Sequence, residues 1–159
     1  MYLWIDPWTR NIWLCLSDGR QVIAFLTVKW KEKLDKDERL FSMMPEIQNF
    51  VLNEKVERAF IEYPVIFKNA KSSMAIAESL WWIKSVMYSL QIPVDEVFVQ
   101  AVKKEVWAMK KEDIIAKTMV ECETNNRVKP STEHEADAYW ILKTWLKKYQ
   151  VAKLLGKTE

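Results

Sequence analysis

Tyr2-Leu3-Trp4-Ile5-Asp6-Pro7 is an unbroken apolar run that stops at an aspartate followed by a proline. Aromatic and β-branched residues dominate it and no polar residue alternates with them, so the run predicts a strand buried on both faces. Asp6 then stands at the carboxyl end of that strand, beside the core but not in it. A lone carboxylate there costs free energy unless a helix amino terminus, a basic side chain or a metal ion pairs with it. The rest of the chain has to supply that partner.

Pro7-Trp8-Thr9-Arg10 reads as a tight turn, residues 11–16 as a second apolar strand, and Ser17-Asp18-Gly19-Arg20 as a hairpin turn. Residues 21–28 complete a three-stranded meander. A charged passage over 29–39 leads into a helix, with Ile47, Phe50 and Val51 at helical spacing over 46–52. Arg58-Ala59-Phe60-Ile61-Glu62 is a short apolar strand that again ends in a carboxylate, with Pro64 soon after.

Residues 72–90 predict a helix with two apolar stripes. One is Ile76, Leu80, Ile83, Met87 and Leu90; the other is Met74, Ala77, Trp81 and Tyr88. One stripe suits the sheet. The other suits another helix of this chain or the same helix of a second subunit, and the aromatics Trp81 and Trp82 favour a homodimer. A strand over 95–100, a helical turn over 103–108 and a helix over 111–123 follow, the last with Ile114, Ile115, Thr118 and Met119 inward. After a loop over 124–130, Thr132 and Glu135 have capping-box spacing and open a last helix to about residue 149, with Ala138, Ile141, Leu142 and Trp145 inward. No repeat or linker divides residues 1–159. Strands come first and then alternate with helices, which predicts one α/β domain with a mixed central sheet of about five strands flanked by helices.

Composition narrows the function classes. Hydrophobic residues make up 50% and charged residues 29% of 159, the proportions of a globular chain with a sizeable core. No apolar run is long enough to span a bilayer and no secretory signal is present, so no membrane partner is expected. Cys15 and Cys122 fall in a predicted core strand and a predicted helix, which suits a reducing, cytoplasmic setting. The net charge is only +2, but acidic residues crowd 32–57 while lysines gather at Lys68 and Lys71, at Lys103, Lys104, Lys110 and Lys111, and over 143–157. Such polarity suits phosphate binding; solvated helix faces are the plainer reading of any one cluster.

Asp6 and Glu62 end two strands, and His134-Glu135-Ala136-Asp137 opens the final helix, where His134 and Asp137 share a face, as do Glu133 and Asp137. Carboxyl ends of strands border the ligand crevice of an open α/β sheet. Taken singly, an Asp before Pro is a turn former, Glu62 a surface residue and His134 a solvated helix start. Their joint placement makes a concentrated acidic site, which must bind cations or shift its proton affinities. Oxygen ligands with one imidazole suit Mg²⁺ or Mn²⁺, and two such ions can activate water against a phosphodiester.

These segments resemble the RuvC family of Holliday-junction resolvases, within the RNase H-like superfamily. Trp4-Ile5-Asp6-Pro7 resembles that family's opening acidic strand. Ala59-Phe60-Ile61-Glu62-Tyr63-Pro64-Val65-Ile66-Phe67-Lys68-Asn69-Ala70-Lys71 resembles its second acidic motif, Ala101-Val102-Lys103 its lysine-bearing segment, and His134-Glu135-Ala136-Asp137-Ala138 its terminal motif. Lys111 lies near a second basic position once a short gap is allowed. The match runs from Leu3 to about Trp145, and its specificity lies in the order and spacing of the four motifs. Two departures stand out. Trp8 occupies the place of the family's usual Gly, and the short, glycine-poor chain fits a compact phage-type or divergent member.

The resemblance implies an RNase H-like fold and a crossover junction endonuclease. Asp6, Glu62, His134 and Asp137 would hold two divalent ions, with His134 preferred to Glu133 as the third ligand. Lys103 would neutralise charge on the scissile phosphate. Lys68, Lys71, Lys103, Lys104, Lys110 and Lys111 would track the DNA backbone. A homodimer through the 72–90 helix would nick a four-way junction symmetrically, and Trp8 or Phe67 would wedge at the branch point. An RNase H-like nuclease for other branched DNA or for RNA, and an inactive dimeric junction-binding module, are the competing expectations.

Overall fold

The computed structural model describes residues 1–8, 10–29, 34–63, 70–98, 111–124, 129–130 and 132–156. In chain order the elements are β1 (Tyr2–Pro7), β2 (Asn11–Ser17), β3 (Val22–Lys29), α1 (Lys36–Asn53), β4 (Arg58–Glu62), α2 (Ala70–Ser89), β5 (Val94–Val97), α3 (Lys111–Thr124) and α4 (Glu133–Leu154). Among the described residues the strands form one five-stranded sheet in the order β3-β2-β1-β4-β5. The β1, β2 and β3 meander is antiparallel; β4 joins β1, and β5 joins β4, in parallel.

The hairpin between β2 and β3 forms where the sequence places it. The Asp18 carboxylate accepts the backbone N–H groups of Arg20 and Gln21, both at 2.8 Å. Gly19 has φ +91°, and a Cβ there would stand 3.0 Å from the Tyr2 ring, so the turn requires glycine twice over.

Strand parity sorts the core into two halves. Leu3, Ile5, Ile12, Leu14, Ala59 and Ile61 face α1 and α2, joining Leu40, Met43, Ile47, Leu80, Ile83 and Met87 in an aliphatic cluster. The alternate residues Trp4, Cys15, Phe60 and Val97 face α4, joining Cys122, Tyr139, Ile141 and Leu142. Each fully buried side chain of this size contributes about 1.5–3 kcal/mol. The strands of the inner sheet are buried on both faces, as their continuous apolar runs require.

Three boundaries differ from the sequence expectation by three residues or more. Helix α1 starts at Lys36, ten residues before the expected 46–52 segment, because Asp35 and Glu38 form a complete capping box. Pro45 lies inside this helix on its exposed side, while Leu40, Met43, Met44, Ile47 and Val51 carry one buried stripe past it. Packing of that stripe outweighs the backbone bond that the proline removes. Strand β5 ends at Val97, short of the expected residue 100, and residues 99 and 100 lie outside the described set. Helix α4 extends to Leu154, past the expected residue 149. The expected turn over 103–108 also lies outside the described residues.

Candidate functional site

Asp6 and Trp13 are paired across β1 and β2, and Trp13 is paired with Thr27 across β2 and β3. On the other side, Ile5 pairs with Ile61, so Glu62 continues the register beside Asp6; Glu62 in turn pairs with Val97. Cross-strand partners share a face. Thr27, Trp13, Asp6 and Glu62 therefore form one row across the carboxyl end of β1 and β4, on the α4 side of the sheet. Adjacent strands lie about 4.8 Å apart, which brings the two carboxylate-bearing residues side by side. Asp6 is 9% exposed, while Glu62 is half-buried.

The amino end of α4 lies over this row. Thr132 and Glu135 form the capping box expected from their spacing: Thr132 Oγ1 accepts from the Glu135 N–H, and Glu135 Oε2 accepts from the Thr132 N–H, each at 3.2 Å. Glu135 is itself buried, and its Oε1 accepts the Thr27 hydroxyl at 3.2 Å. One carboxylate thus starts the helix and ties it to β3. The imidazole of His134 stacks on the Trp13 indole, with centroids 4.1 Å apart and planes 22° from parallel. Trp8 approaches the same imidazole at 6.5 Å and 56°. His134 is thereby fixed beside Asp6 through Asp6's own cross-strand neighbour. The amino end of α4 thus lies against Trp13 and Thr27 of the row.

The donor chemistry fits a hard divalent cation. Two carboxylate-bearing residues stand at one level on neighbouring strands, and the imidazole of His134 is stacked on the neighbour of one of them; carboxylate oxygens with an imidazole are the donor types such a cation takes. Asp137 follows His134 by three residues along α4; its side chain, like that of Glu133, lies outside the described residues. Asp6, Glu62 and His134, all among the described residues, do not come together as a metal-holding cluster, and no other three His, Cys, Asp or Glu side chains among the described residues do. Cys15 lies behind the row on the same face and is no ligand. Burial pushes its thiol well above the ordinary value, and the Glu135 charge and Cys122 push it further.

Of the expected phosphate-binding lysines, Lys71 is exposed on α2. Lys68, Lys103, Lys104 and Lys110 lie outside the described residues, as do Phe67 and the Lys111 side chain, although Lys111 opens α3. Sequence reasoning missed Trp13 and Thr27. The signal was present in the tight turn after Pro7, whose pairing of Pro7 with Ile12 sets Trp13 opposite Asp6.

The fold is shared with junction resolvases. The chain superposes on a Thermus thermophilus RuvC solved in complex with a Holliday junction substrate, with a TM-score of 0.76 and 14% identity over 98% of this chain and 96% of that one. It superposes on the yeast mitochondrial Holliday junction resolvase with a TM-score of 0.55 and 10% identity, covering 97% of this chain and 85% of that one. Fowlpox virus resolvase, solved with Holliday junction DNA, gives 0.53 and 11% identity over 93% and 99% of the two chains. No family model and no curated relative matches the sequence. The five-stranded mixed sheet with flanking helices is the RuvC-type, RNase H-like arrangement that the sequence resemblance implied.

Proposed function

We propose that this chain is a metal-dependent endonuclease that resolves four-way DNA junctions by paired symmetric nicking. The carrying observation is the row Thr27-Trp13-Asp6-Glu62 with the His134 end of α4 laid over it, in a fold that junction resolvases share along nearly the whole chain.

In this reading Asp6, Glu62, His134 and Asp137 hold a pair of Mg²⁺ or Mn²⁺ ions. When bound, such ions supply a water of lowered pKa and stabilise the departing 3′ oxygen. Asp6 and Glu62 fix the site from the sheet, and α4 closes it from above. Trp13 holds the His134 ring so that it loses little freedom on ligation. Lys103 neutralises charge on the scissile phosphate, and Lys68, Lys71, Lys104, Lys110 and Lys111 contact neighbouring phosphates, positioning DNA without reading its sequence.

A homodimer through α2 brings two sites to opposite strands. Its inner stripe, Ile76, Leu80, Ile83 and Met87, is buried against the sheet, while Met74, Trp81 and Tyr88 are 64%, 72% and 59% exposed. Phe41 of α1 stands edge-on to Trp82 at 6.0 Å and extends this surface. Exposed aromatics at this density suit a subunit interface.

Cleavage of four-way, three-way and linear duplex DNA, compared side by side with Asp6→Asn as control, tests the proposal. Junction-selective, symmetric nicking abolished by the substitution supports it. Equal cutting of linear duplex defeats the resolvase assignment. The stacking of His134 on Trp13 favours one other reading, a junction-binding module in which the imidazole only packs. That reading wins where junctions bind tightly and neither Mg²⁺ nor Mn²⁺ supports cleavage.

A further inference from the structure

Two indoles flank His134, and they differ in one respect. Trp13 is 7% exposed, sealed beneath the imidazole; Trp8 is 43% exposed. Trp8 follows Asp6 by two residues, so the two α-carbons are at most about 7 Å apart. Its position is held from two sides. The Ser79 hydroxyl, fully buried on α2, donates to the Trp8 carbonyl at 3.3 Å, and the indole leans on His134 of α4 at 6.5 Å. An aromatic ring anchored through its backbone, half-open to solvent and within one nucleotide's length of the acidic pair has the chemistry of a stacking platform. A core residue would be covered, and a chance surface tryptophan would lack the anchor.

We infer that Trp8 stacks on the nucleobase flanking the phosphate that Asp6 and Glu62 address, and so sets which junction conformations are cut. The inference rests on the nuclease reading above. It names an unpaired or splayed base as the ligand, because a base inside an intact duplex offers no free face. The stacked Trp13–His134 pair stands behind Trp8, whose ring is tilted 56° against the imidazole. Sequence preference from such a contact is weak, since every base has a π-face.

The test uses the whole chain and a four-way junction carrying 2-aminopurine, or an abasic residue, beside the mapped cleavage position. On binding in EDTA, wild type should quench 2-aminopurine, Trp8→Ala should not, and Trp8→Phe should retain part of the quench. In single-turnover cleavage, Trp8→Ala should slow the intact junction by about 5- to 100-fold, the range of one lost stacking contact. The abasic junction should slow wild type by a similar factor and the variant no further. Additive losses from the substitution and the abasic residue would show that Trp8 only props His134, and would overturn the inference. Binding without quenching by wild type overturns it too, and leaves the nuclease proposal standing. Failure of wild type to bind the junction at all defeats both.

Discussion

The two faces of the sheet are built from the same strands by alternate residues, and they end differently. On the α1 and α2 face, Leu3, Ile5, Leu14 and Ile61 carry an aliphatic core to the last strand residue. On the α4 face, Trp4, Cys15 and Phe60 form an aromatic core that gives way at its carboxyl edge to Asp6, Glu62 and Thr27. At the opposite edge of that face Arg58 pairs with Asp95 at 2.8 Å and lies over the Tyr149 ring. One parity of each strand is therefore apolar throughout, and the other is apolar in the middle and turns polar at its carboxyl end.

The comparison is broken most readily at Asp6. Asp6→Asn should lower junction cleavage by more than about 100-fold, since even groups that only support metal ligands cost 10–100-fold when lost. A large loss of stability with retained cleavage would reverse the roles assigned to the faces. Leu14→Ala, one residue away on the aliphatic face, should do the opposite. It should cost about 2–5 kcal/mol in urea denaturation and leave cleavage per folded molecule unchanged.

Glu135→Ala should show both effects at smaller size. Losing the bonds that its carboxylate accepts from the Thr132 N–H and the Thr27 hydroxyl costs about 0.5–1.5 kcal/mol each, and loosening α4 from Thr27 should weaken cleavage and raise the Mn²⁺ concentration that half-saturates it. Mn²⁺ should support at least as much activity as Mg²⁺ in the wild type, and His134→Asp should shift that balance toward Mg²⁺. Inactivity in Mn²⁺ beside good activity in Mg²⁺ would remove His134 from the ligand set.

The smallest effect is at the far end of the meander. Burial raises the proton affinity of Asp18, but the Gln21 and Arg20 amides together with the Arg20 charge outweigh it and hold the carboxyl below its ordinary value. A lowered folded value stabilises the protein above the unfolded pKa of about 3.9 and ceases to do so as pH falls through the folded value. Asp18→Asn should therefore reduce stability slightly at neutral pH, and the difference from wild type should vanish in acid. A gap in midpoint that stays constant down to the acid limit would count against this.

The elements that were legible in the sequence are those where one local signal ruled. Continuous apolar runs and the Asp18-Gly19 turn sufficed for the meander, and Thr132 with Glu135 for the start of α4. Helix α1 was legible only over 46–52, where Ile47, Phe50 and Val51 have helical spacing, because its start signal, the Asp35 and Glu38 box, lies inside a charged passage. Asp6 and Glu62 were legible as strand ends, since each carboxylate closes an apolar run. The role of Trp13 was not, because an apolar residue in a strand says nothing of what stacks on it until cross-strand register is counted.

The parallel pairing of β1 with β4 has a consequence for the chain as it is made. Residues 2–29 can zip into their hairpins as soon as they emerge, by contacts between near neighbours. Asp6 acquires Glu62 only after a long loop closes, and acquires the His134 helix only when almost the whole polypeptide has been synthesised. A nascent or truncated copy thus presents Asp6 without Glu62 or the His134 helix beside it, and the row is completed only by the last parts of the chain to arrive.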